Sequence, residues 1–153
     1  MARLVLIGIF LSLFSNMISA NEVLDNAIAD LSNPSKTTRL AAVRTLGQLG
    51  INAEKAVLPL TALLSDSDPE IRYRTAQTLQ KIGRYAKRAV PALQQALNDS
   101  DPHIRYQVAK AIMATGNIDA RPAAEAVLAE GKPRQLPSYL LPSQQNTSDD
   151  QVQ

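Results

Sequence analysis

Residues 64–73 read L-S-D-S-D-P-E-I-R-Y, and residues 97–106 read L-N-D-S-D-P-H-I-R-Y. Eight of the ten positions are identical, and the second window lies 33 residues after the first. The same offset joins Arg39, Arg72 and Arg105, then Leu46, Leu79 and Ile112, then Gly50, Gly83 and Gly116. A fixed period of about 20–50 residues signals a repeat architecture and governs every other assignment.

Each unit reads as a pair of helices. Leu60, Leu63 and Leu64, and again Leu93, Ala96 and Leu97, give the first helix one apolar face. A polar turn follows and ends at Asp68 or Asp101. A carboxylate there caps a helix by accepting from its free N–H groups. Pro69 and Pro102 stand at the first helical position, where a missing N–H costs nothing. The second helix then buries Ile71, Thr75, Ala76, Leu79 and Ile82, or Ile104, Val108, Ala109 and Ile112. Gly83 and Gly116 end it, because glycine tolerates the left-handed conformation. A short loop leads to Pro91, which opens the next first helix.

The pattern D-P-x-I-R, an apolar and alanine-rich face, then Ile-Gly, resembles the HEAT repeat, and most closely the short HEAT-like repeats first named for phycobilin lyases. The resemblance covers roughly residues 22–130. It implies an all-α fold, a right-handed α-solenoid of about three and a half HEAT-like helix pairs. It also implies that Arg39, Arg72 and Arg105 bond to the acidic turns of neighbouring units as a ladder, and that the second helices line a concave side.

Residues 1–20 read as a signal peptide. Arg3 precedes an apolar run from Leu4 to Phe14, and Ser19-Ala20 offers a small-residue cleavage context. The run is short for a spanning helix, which needs about 20 apolar residues; a buried first helix or an uncleaved anchor is the alternative. Export to a periplasm or secretion follows from this reading. No cysteine is present, which excludes a disulfide framework and a thiolate metal site. Residues 21–130 form the repeat domain. Asn33-Pro34 reads as the cap-plus-proline device displaced by two residues, and a half repeat near Pro122–Glu130, with Ala123, Ala126, Val127 and Leu128 inward, reads as a closing cap. Residues 131–153 read as a disordered or extended tail; a docking motif around Tyr139-Leu140-Leu141 is the alternative to an inert one.

Chemistry is sparse. One histidine, His103, sits at a helix start, and without a second neither a triad nor a zinc site can form from the usual residues. No catalytic residue, metal or cofactor is assigned, so a non-enzyme is expected. The informative rows are Leu40/Tyr73/Tyr106, Arg44/Gln77/Lys110 and Gly47/Gln80/Met113, which the i, i+4, i+7 spacing puts on one stripe. Tyr73, Tyr106, Gln77 and Lys110, with Arg44, Arg74 and Gln80 around them, are the candidate partner-binding residues; partial burial of the tyrosines against the next unit is the bland alternative. The nearby cations favour an acidic protein partner. A net charge of +2 gives nucleic-acid binding no support. Lys81, Arg84, Lys87 and Arg88 form a basic edge that could meet an anionic protein or lipid surface. The expected function is an exported, non-catalytic interaction module with no integral membrane segment after cleavage. The alternative is a lyase subunit or chaperone-like factor acting on a pigment.

Overall fold

Aspartate–proline starts and glycine stops divide the chain into helices, and the computed structural model, which describes residues 19–141, places them in that order. They are α1 (Ala20–Asp30), α2 (Lys36–Leu49), α3 (Val57–Ala62), α4 (Pro69–Ile82), α5 (Val90–Ala96), α6 (Pro102–Thr115) and α7 (Arg121–Ala129). Odd-numbered helices are the first of each pair and even-numbered ones the second. The chain is an all-helical α-solenoid, with no strand among the described residues. The apolar run at Leu4–Phe14 lies outside them.

The caps form as the sequence predicts. Asp68 Oδ1 accepts from the Glu70 and Ile71 N–H groups at 3.0 and 3.3 Å, and Asp101 Oδ1 accepts from His103 N–H at 2.8 Å. The first unit differs from expectation. Its cap is Ser35, not Asn33, and Pro34 precedes the helix. Ser35 stands 33 residues before Asp68, so the unit is in register and not displaced. Asn33 Oδ1 accepts from Ser35 N–H at 2.9 Å, as Asp66 Oδ1 accepts from Asp68 N–H and Asp99 Oδ1 from Asp101 N–H.

Gly116 ends α6 in the left-handed conformation. Gly50 and Gly83 also have positive φ, but with ψ near −124° and −130°, a combination open chiefly to glycine. The turn it makes feeds 3-10 segments, Gly50–Ala56 and Gly83–Ala89, where a loop was expected. Ala53, Ala56, Ala86 and Ala89 are fully buried there. Their small side chains let these connectors lie in the core between the helix layers.

Ile71, Thr75, Ala76, Leu79 and Ile82 are buried, as are Ile104, Val108, Ala109 and Ile112, and Leu79 lies at 0% exposure between Leu46 and Ile112. The second helices pack directly on one another, α2 on α4 on α6, while α3 and α5 meet chiefly through 3-10 segments. In α7 the inward residues are Ala124, Val127 and Leu128; Ala123 and Ala126 face solvent, which corrects the assigned face. No helix among the described residues is long and apolar enough to cross a membrane.

Candidate partner-binding face

Tyr73, Gln77 and Gln80 follow one another along α4 at the spacing that shares a face, and Tyr106, Lys110 and Met113 do so along α6. Tyr73, Arg74, Gln77, Gln80, Tyr106 and Lys110 are all half-buried, and Arg44 on α2 is exposed. Tyr73 packs partly against the core, as do Leu40 and Met113. Gly47 belongs inside: it is buried, and a β-carbon there would stand 2.8 Å from Thr78 Oγ1.

The cations on the stripe are largely engaged. Arg44 Nη2 donates to Glu70 Oε1 at 2.9 Å, and Arg74 Nε lies 3.7 Å from the same oxygen. Arg74 Nη1 also donates to Gln77 Oε1 at 3.2 Å, and its guanidinium stands 5.9 Å from the Tyr73 ring centre. Gln80 Oε1 accepts from Gln107 Nε2 at 2.6 Å, tying α4 to α6. Two of the three cations near the tyrosines thus share one carboxylate. Lys110 has no acid within ion-pair distance among the described residues.

The repeated arginines do form a ladder. Arg39 grips Asp66 through Nε and Nη2 at 2.9 and 3.3 Å, and Arg72 grips Asp99 at 2.7 and 3.2 Å. Their Nη1 atoms donate to carbonyls of their own turns. Among the described residues Arg105 makes only the carbonyl bonds, to Asp99 and Ser100; Lys132 stands where the next aspartate would be. An open groove of about 390 Å³ runs along this turn edge, lined by Asp66, Arg72, Gln95 and Asp99 among others. His103 is half-buried and serves the cap only through its backbone. Lys81, Arg84, Lys87 and Arg88 are all exposed.

Sequence reasoning passed over one contact. Within residues 132–141 a 3-10 turn, Ser138–Leu140, carries Tyr139 back to the repeats. Its hydroxyl donates to Asp101 Oδ2 at 2.7 Å, and its ring centre lies 6.3 Å from that of Tyr73. Burial, then the hydrogen bond to Asp101, pushes the Tyr139 phenol well above its ordinary 10.0. The remaining tail residues, 142–153, lie outside the described ones.

Stacked helix pairs, period-matched caps and an inter-unit arginine–aspartate ladder define an α-solenoid of short repeats. A family model for HEAT repeats matches residues 22–87 and 84–136, and the chain belongs to the HEAT-repeat family. HEAT repeats generally serve as protein-interaction scaffolds and are typically non-catalytic. No curated protein matches the chain.

Proposed function

We propose that the chain is an exported, non-catalytic scaffold that receives a protein partner on the face formed by its second helices. The observation that carries this reading is the half-exposed row of Tyr73 and Tyr106 on adjacent helices. Equal positions 33 residues apart stack as successive rungs, and tyrosine is favoured at binding hot spots. The closer packing of α2, α4 and α6 suits the inner side of a curved stack. With Arg44 and Arg74 held by Glu70, the preference for acidic partners rests on Lys110. The pigment-lyase alternative draws support only from the repeat type.

The test is the double substitution Tyr73→Ala, Tyr106→Ala, with a circular-dichroism melt as control. With the fold intact, affinity for a partner recovered from the envelope fraction should fall about tenfold, or 1.4 kcal/mol. An unchanged affinity would move the site to the basic edge. Export rests on the residues before Asn21; N-terminal sequencing of the recovered protein should read Asn21 first, and a chain still starting at Met1 in the cytosol would refute it. Cleavage there removes Ser19, whose Oγ accepts from Glu22 N–H at 3.1 Å, so the first turn of α1 would fray in the mature protein.

A further inference from the structure

We infer that Asp101 and Tyr73 form a site for an extended partner segment carrying a tyrosine, and that the chain's own tail, through Tyr139, occupies it until such a partner arrives. The inference rests on the reading of the second-helix face as the partner surface.

The repeat itself leaves this acceptor open. In unit two, Asp68 Oδ1 caps the helix and Oδ2 pairs with Lys36 Nζ of the preceding unit at 2.6 Å. In unit three, Asp101 Oδ1 caps the helix in the same way. The residue 33 positions after Lys36 is Pro69, which has no donor to offer Asp101 Oδ2. Tyr139 supplies the missing hydrogen bond from outside the array.

The array offers this combination once among the described residues. A phenol needs a free carboxylate oxygen and an aromatic neighbour together. One unit back the pair is Leu40 and Asp68, aliphatic and already bonded to Lys36. One unit on it is Tyr106 and Arg134, with no carboxylate. Only Tyr73 with Asp101 provides both.

The tail is held lightly. Leu136 and Leu141 are 60% and 53% exposed, so the anchor is confined to Tyr139 and the half-buried Pro137 and Leu140 beside it. A short tether keeps that anchor at about millimolar effective concentration. An external segment with the same tyrosine and further contacts along the Tyr106–Lys110 rows would displace it.

The experiment uses the full chain and a fluorescein-labelled peptide of residues 134–141, followed by anisotropy. The Tyr139→Ala chain, whose site is vacant, should bind the peptide at least about tenfold tighter than the wild-type chain. A peptide with phenylalanine at position 139, or the added substitution Asp101→Asn, which keeps a competent cap, should abolish that gain. Equal binding by the two chains, or none by either, overturns the inference. A wild-type dimer in sedimentation that Tyr139→Ala does not form would assign the site to a second copy's tail and overturn the partner assignment. If the peptide fails to bind while partner capture still depends on Tyr73 and Tyr106, the inference alone falls. If the peptide binds but partner capture ignores those tyrosines, the proposed function falls.

Discussion

The Thr78 hydroxyl on α4 donates to the Val43 carbonyl on α2 at 3.0 Å, and it reaches that carbonyl across Gly47. Alanine at position 47 would set its β-carbon 2.8 Å from the hydroxyl oxygen. Thr78 is short and its hydroxyl is bonded, so it cannot yield without losing the bond. Gly47→Ala should therefore destabilise by about 1–3 kcal/mol, although alanine alone favours a helix by about 1 kcal/mol. In the Thr78→Ala background the sign should reverse. Urea melts of the four chains decide it.

Leu79→Ala should cost about 2–5 kcal/mol, since the residue is fully buried between its repeat equivalents. Asp68→Ala should cost about 1 kcal/mol through loss of the cap. A cap variant much less stable than the core variant would overturn the assignment of faces.

The ladder makes a graded prediction. Asp66 and Asp99 each have side chains only 7% exposed, and each meets its arginine through two bonds. Arg39→Ala and Arg72→Ala should each cost about 1.5–3 kcal/mol. Arg105→Ala, which removes carbonyl bonds alone, should cost about 1 kcal/mol. Equal losses at all three positions would deny the inter-unit bonds their role.

Thr75 is fully buried, and its hydroxyl has no hydrogen-bond partner among the described residues. Its repeat equivalents are Ala42 and Val108. Thr75→Val keeps the shape and removes the stranded oxygen, so it should raise stability by about 1 kcal/mol. A fall in the thermal midpoint would show that the oxygen is satisfied in solution.

The Lys36–Asp68 pair sets a pH window. Desolvation pushes the Asp68 carboxyl up, but the Lys36 ammonium and the Ile71 and Glu70 N–H groups outweigh it and hold the pKa below the usual 3.8. Its contribution is therefore complete above about 3.8 and is lost as pH falls through the lowered value. The Asp68 hydrogen bond raises Lys36 above 10.5 against a smaller desolvation effect. That contribution is complete below 10.5 and is lost as pH rises through the raised value. The stability difference between wild type and Lys36→Ala should thus be flat from pH 5 to 9 and shrink on both sides. The pair is exposed on the lysine side, so the plateau should be small.

Local signals carried most of the fold. Period, aspartate–proline caps and terminal glycines gave α4 and α6 to within a residue, because each rests on backbone chemistry inside one unit. The first unit's cap was misplaced because Pro34 looked like a helix-start proline, when the register that matters runs through Ser35 and Asn33. The engagement of Arg44 and Arg74 by Glu70 was not legible, since it joins side chains of neighbouring helices whose rotamers no spacing rule fixes. The seat of Tyr139 on the repeats was hidden for a related reason: its partner Asp101 lies 38 residues away and outside the repeat period.

The ladder has a direction of growth. At its N-terminal end Asn33 holds the place of Asp66 and Asp99, an amide that leaves no charge waiting for an arginine. At its other end Arg105 keeps its Nε and Nη2 without an acidic side chain among the described residues, and position 132 is lysine. A further 33-residue unit added after α6, with aspartate at that place, would find its ion-pair partner already standing. A unit added before α1 would meet only a neutral amide. The array is polymer-like at one end and terminated at the other, which makes its length adjustable by duplication in one direction alone.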